Sequence, residues 1–302
     1  MKKIKFAILM ASLGLTAVFA ACTSNTTGEP KVKYYVDGQE SATAPDKNFY
    51  KAVSIESNSK EASIVWDVAT WSLETSNTTG KETVNVYFEY QSKPVTVDGI
   101  GFDTLQEAFN YIGSDSKRIY LTKDVTGGGN TAEGADISIE LGGFTIDGAG
   151  EDTIINNGKM TIYGAGTITN TVNAEYSKSI VNYGELTLQG VTVTNDTDSV
   201  AIWNSENGSS VLTIKDSNIS HTHSNVMTIV NSGNMEIVSG TVTGEGDSFH
   251  PVIYNNRGSA VLTLTGGSVT NNAEGCAIYN ESGVINPGGT TYTESYNMPY
   301  TE

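Results

Sequence analysis

Ile180-Val181-Asn182-Tyr183-Gly184-Glu185-Leu186-Thr187-Leu188-Gln189-Gly190-Val191-Thr192-Val193-Thr194 is the stretch that decides how this chain folds. It holds an apolar doublet closed by Asn, a short alternating strand, a Gly turn and a second, Thr-rich strand. The doublet and its Asn return six times, at Ile155-Asn156, Val181-Asn182, Trp203-Asn204, Val230-Asn231, Tyr254-Asn255 and Tyr279-Asn280. The asparagines stand 26, 22, 27, 24 and 25 residues apart. A unit of this length cannot bury its own apolar face, so neighbouring units must stack.

Working outward, the same strands recur in every unit. The middle strands are Met160-Thr-Ile162, Leu186-Thr-Leu188, Leu212-Thr-Ile214, Met235-Glu-Ile237 and Leu262-Thr-Leu264. The third strands are Thr167-Ile-Thr169, Val191-Thr-Val193, Asn218-Ile-Ser220, Thr241-Val-Thr243 and Ser268-Val-Thr270. Three short strands with no helical stretch between them exclude leucine-rich, ankyrin and tetratricopeptide repeats, and a propeller blade needs four strands. What remains is an all-β, single-stranded parallel β-helix, each unit making one turn of a three-sided coil and adding about 4.8 Å of length. The column of Asn156, Asn182, Asn204, Asn231, Asn255 and Asn280 is expected to be architectural. Asn tolerates the left-handed dihedrals of a sharp corner, and stacked amides can hydrogen-bond along the coil. Gly158, Gly184 and Gly233 are expected to complete the same bend.

Upstream of the repeats, residues 31–95 carry strand signals and read as a small β-rich module. Residues 96–117 hold the one helical pattern, with Leu105, Ala108, Phe109 and Ile112 on one face, Asp103 as the expected N-cap and Gln106 as its capping-box partner. A stack of strands has an open apolar end, and this short helix is suited to plug it. The β-helix repeats are assigned to residues 118–290 and a tail to 291–302.

At the start of the chain, Lys2, Lys3 and Lys5 precede an apolar run from Phe6 to Phe19, which reads as an export signal over residues 1–21. Phe19-Ala20-Ala21-Cys22 resembles a bacterial lipobox, with Phe19 where that motif usually has Leu, Val or Ile. The resemblance implies cleavage before Cys22, lipidation of that cysteine, and a polar tether over residues 22–30. Plain secretion with cleavage near Ala20 is the alternative. The expected location is the bacterial cell envelope, with acyl chains at the membrane, and Thr23 after the cysteine favours the outer membrane or cell surface. Lipidation of Cys22 leaves Cys276 with no intramolecular disulfide partner. Removing residues 1–21, which hold three lysines and no acid, takes the net charge from -17 to -20. So acidic a chain is repelled by phosphate backbones, which argues against nucleic acid as a partner.

With these repeats in place, Phe102-Asp-Thr-Leu-Gln-Glu-Ala-Phe109 and Ile119-Tyr-Leu-Thr-Lys-Asp-Val125 are similar to the opening of surface-attached, adhesin-like members of the pectate-lyase-like class. The resemblance covers residues 98–290 and implies a right-handed parallel β-helix. The class includes polysaccharide lyases and hydrolases as well as adhesin-like proteins, so it implies no single activity. The clustered carboxylates and Arg or Lys base of the lyases, and the neighbouring Asp residues of the hydrolases, find no counterpart on these strands. No catalytic residue, metal ligand set or cofactor is assigned.

Two surfaces are candidates for ligand contact. Trp203, Tyr254 and Tyr279 each follow an Ile (202, 253, 278) that should face the bore, so the rings should face outward. Exposed rings of this kind stack on sugars. The turns after the third strands gather Asp196, Asp198, His221, His223, Asp247 and His250, which includes all three histidines of the chain. The expected function is non-catalytic recognition or adhesion to a glycan or a protein partner through the β-helix surface. The alternatives are a carbohydrate-active enzyme using the acidic and His edge, and a structural envelope protein.

Overall fold

The computed structural model describes residues 28–45, 50–67, 70–90, 93–174, 176–205, 210–292 and 295–297. The export signal, Cys22 and most of the tether lie outside them. By its internal contacts the chain divides into two units, Met1–Ser92 and Lys93–Glu302.

In the first unit, strands Lys31–Val36 and Thr83–Tyr90 run parallel at the centre of a four-stranded sheet. Gln39–Ser41 and Tyr50–Ser57 pair antiparallel on its edges. A separate hairpin, Ser63–Asp67 with Ser72–Ser76, supplies Trp66 to a small core with Ile55, Val84, Val86 and Phe88. The Trp66 ring meets Phe88 edge-on at 5.1 Å and Trp71 at 5.3 Å, arrangements that suit the charge distribution of aromatic rings.

The second unit is the parallel β-helix. Each coil gives one strand to each of three sheets, so the coil is single-stranded as the sequence implies. A short face is built from three-residue strands such as Ile180–Asn182, a long face from strands such as Glu185–Gln189, and a middle face from strands such as Thr192–Asn195. Ile154, Ile180, Ile202, Ile229, Ile253 and Ile278 stack in register along the short face, all fully buried. Met160, Leu186, Leu212, Met235 and Leu262 do the same on the long face. Each such side chain contributes about 1.5–3 kcal/mol by leaving water, so the bore is the energetic core. Thr161, Thr187, Thr213 and Thr263 form an outward row interrupted by Glu236. On the middle face the alternation shifts the third strand by one residue. Thr192 pairs with Thr167 and Val193 with Ile168, so Val193, not Thr192, stands in the row of Ile168 and Ile219, and Val191 is buried in the same core. The coil also continues past residue 290, through Thr291–Tyr292 and Ser295–Asn297.

The Asn column is a hydrogen-bonded ladder between the short and long faces. Asn156 Nδ2 donates to Asn182 Oδ1 at 2.8 Å, and each amide donates in turn to Asn204, Asn231, Asn255 and Asn280 at 2.7–2.8 Å. The amides also donate to backbone carbonyls of the next coil, those of Glu185, Val211, Asn234 and Val261 among them. The left-handed corner expected of these residues does not occur: none of the six asparagines, and none of Gly158, Gly184 and Gly233, has a positive φ. The glycines are there for space. A Cβ on Gly184 would run into the carbonyl oxygen of Gly158, and one on Gly158 into that of Ala135.

The opening of the coil is closed by helix Leu105–Ile112, whose buried residues are the four expected, Leu105, Ala108, Phe109 and Ile112. Phe109 and Leu105 press on Gly129 of the first coil, where an added Cβ would meet the Phe109 ring at 2.7 Å. The cap sits one residue later than the sequence suggests. Thr104 is the N-cap and Glu107 completes the capping box, while Asp103 instead pairs with Lys93 at 2.6 Å. Strands Val95–Val97 and Ile100–Phe102 extend the long face antiparallel at the same end.

Candidate functional site

The turns that lead from the middle face to the short face are rich in polar groups, and a second buried column anchors them. Asn195 accepts from the Thr197 N–H at 2.9 Å and donates to the Ser177 carbonyl at 3.0 Å. Asn271 makes the same pair with the Ala273 N–H and the Gly246 carbonyl, both at 3.0 Å. His221 is in register with Asn195 and takes over its work. Its Nδ1 accepts from the His223 N–H at 3.0 Å and its Nε2 faces the Ser199 carbonyl at 2.8 Å. The ring is only 2% exposed, and burial pushes its pKa below the usual imidazole range. The geometry requires the neutral tautomer with the proton on Nε2. His221 is therefore a backbone-bracing residue in this turn, with both nitrogens committed.

Asp196, Asp198 and His223 do come together. His223 Nδ1 lies 3.1 Å from Asp198 and its Nε2 3.4 Å from Asp196, so the imidazole bridges two carboxylates of the preceding turn. Asp198 also accepts from Asn173 Nδ2 at 2.9 Å. The Asn173 amide, and then His223, hold its pKa below the carboxylate range. Asp247 is drawn to a different partner, His250, at 2.7 Å. It also accepts from the Phe249 N–H at 2.8 Å, and these contacts lower its pKa, the Phe249 amide most. Both carboxylates are thus fixed in orientation. Among the described residues, no three His, Cys, Asp or Glu side chains are placed to hold a metal ion.

Asp198, His250 and Trp203 meet in a shallow groove of about 280 Å³ beside the short face. Trp203 is in register with Val181 and Val230, so it points outward while Ile202 fills the bore, as alternation requires. The groove's apolar lining includes Val200, Val226, Met227 and Val230. Its polar lining adds Ser199 and Asn225. Tyr176, 75% exposed, and Lys178 complete it, with the Lys178 ammonium 5.3 Å from the centre of the Trp203 ring. Phe249 is 82% exposed, one residue before His250. These contributors from the preceding and following turns carry no periodic signal, so their convergence was not legible from spacing.

Tyr254 and Tyr279 form a separate patch. Their rings lie 5.6 Å apart, and the Val230 coil stands between Tyr254 and Trp203. Partial burial, together with a hydrogen bond to Glu281, pushes the Tyr254 hydroxyl up to about 12. Cys276 is half-buried in a turn of the same edge, its carbonyl accepting from the Val252 N–H at 3.3 Å. No helix among the described residues is long and apolar enough to cross a membrane. No family model matches this chain, and neither a curated protein nor a solved structure matches it significantly.

Proposed function

We propose that this chain is a non-catalytic recognition protein of the bacterial cell surface, exported and held to the envelope through a lipidated Cys22, and that it binds a glycan in the Trp203 groove. The observation that supports this reading most is the groove itself. An outward indole stands among apolar side chains, with a fixed carboxylate, an amide and a hydroxyl at its border. Sugar rings present one apolar face and a rim of hydroxyls, and an aromatic platform flanked by oriented polar groups matches that pattern.

An enzymatic reading finds less support. Glycoside hydrolysis needs two carboxyl groups facing one bond from opposite sides. Here Asp196 and Asp198 share the same His223, and Asp247 is occupied by His250 and two backbone N–H groups.

A glycan-array screen of the full-length chain, followed by a product assay on each sugar bound, tests the proposal. Binding without shortened products is expected, with Trp203→Ala weakening it at least tenfold (about 1.4 kcal/mol) while the far-UV circular dichroism is unchanged. Release of shortened sugars would move the chain to the enzymes. Binding that survives Trp203→Ala would place the glycan elsewhere.

A further inference from the structure

The Trp203 groove already holds a cation, and it belongs to the protein. The Lys178 ammonium lies over the indole ring, 5.3 Å from its centre, and donates to the Tyr176 carbonyl at 2.8 Å. The Asp198 carboxylate lines the same groove, fixed from outside it by Asn173 and His223. His250 also lines it and is bonded to Asp247 at 2.7 Å. An aromatic face, a carbonyl acceptor and an immobilised carboxylate are the three groups that recognise an ammonium ion. Lysine is a flexible tether for one, and holding it in a single rotamer carries an entropy cost. Its ammonium can leave without disturbing the coil, because its hydrogen bond ends on a turn carbonyl and not on a strand.

We propose that the groove selects saccharides carrying a free primary amine, and that the sugar's ammonium takes the place of Lys178 Nζ over Trp203. This rests on the glycan reading above and adds the chemical class of the sugar. Charge complementarity supports it. Among the described residues Lys178 is the one Lys or Arg lining the groove, Asp198 faces the same space, and the chain as a whole carries a net charge of -17. An acidic sugar would meet Asp198 and a repulsive field. An N-acetylated sugar would cover Asp198 without offering its carboxylate a second cation beside His223. The groove is also small, about 280 Å³, which suits one or two sugar rings better than a helix or an extended peptide laid along the face.

Calorimetric titration of the full-length chain with glucosamine oligomers and with their fully N-acetylated counterparts, at a pH where the amines are protonated, tests the inference. The free-amine oligomer is expected to bind about tenfold more tightly, and the preference should fall as salt is raised. Lys178→Ala should tighten binding of the free-amine oligomer severalfold, because the competing cation is gone. Trp203→Ala should abolish the preference. Equal affinity for both oligomers, or weaker binding on Lys178→Ala, overturns the amine selectivity while leaving glycan recognition in place. If neither oligomer nor any other saccharide binds and a lysine-rich peptide does, both readings fall and the groove takes protein.

Discussion

Asn204 accepts from Asn182 and donates to Asn231, so its amide is used at both ends inside a column that water does not reach. Asn204→Ala would orphan a buried donor and a buried acceptor at once. A loss of about 2–4 kcal/mol is expected, read as a lower denaturation midpoint with an unchanged m-value. His221 supports the opposite expectation. It occupies a column position that Asn fills in the coil of Asn195 and again at Asn271, and the contacts it makes are contacts an amide can make. His221→Asn should therefore stay within about 1 kcal/mol of the native chain at neutral pH. A larger loss would mean that the imidazole fills volume the amide cannot.

At the scale of the element, each strand is too short to persist alone, and the corners decide whether it stacks. Gly184 lies where two coils approach so closely that a Cβ meets the Gly158 backbone, which cannot swing aside as a side chain would. Gly184→Ala should separate two coils locally and cost about 1–3 kcal/mol, measurable by thermal melting. The capping helix acts by the same logic at the open end. Phe109 lies against Gly129 and is almost completely buried, so Phe109→Ala should cost about 3–5 kcal/mol and speed amide exchange first in the coil beneath it. Uniform loss of protection along the whole coil would show instead that the β-helix unfolds as one cooperative body.

For the whole molecule, acid is the lever that the titratable groups define. The folded-state pKa of His221 lies below its unfolded value near 6.5, chiefly because its ring is buried. Its neutral form therefore contributes stability that is complete above the unfolded value and is lost as the pH falls through the folded one. Asp198 and Asp247 are lowered carboxylates, so their contribution is present above their ordinary value near 3.8 and disappears below it. In the first unit Glu82, held to about 2 chiefly by the Thr79 hydroxyl and then its N–H, behaves in the same way. Melting temperature should thus fall first as the pH drops below about 6.5, and a second time below about pH 4. His221→Asn should remove the first step and leave the second. Persistence of the first step in that variant would show that His221 does not carry it.

The parallel β-helix, its strand sequence and the Asn column were legible because each depends on a local period repeated many times, and a bore that excludes water admits one register of alternating side chains. The amide ladder could be anticipated from the column, whereas the left-handed corner expected with it does not occur: Asn is suited to both roles, and only the backbone shows that hydrogen bonding is the one in use. The cap shifted from Asp103 to Thr104 because the two are adjacent and equally suited, and Lys93 engages Asp103. The candidate site divides in the same way. Outward placement of Trp203 and the nearness of Asp198 to His223 follow from alternation and from turns stacking on one edge. The burial of His221, the separation of Tyr254 and Tyr279 from Trp203, and the arrival of Lys178 and Tyr176 in the groove do not. These depend on turns of unequal length, whose paths are set by contacts with the coils on either side and not by any period within the chain.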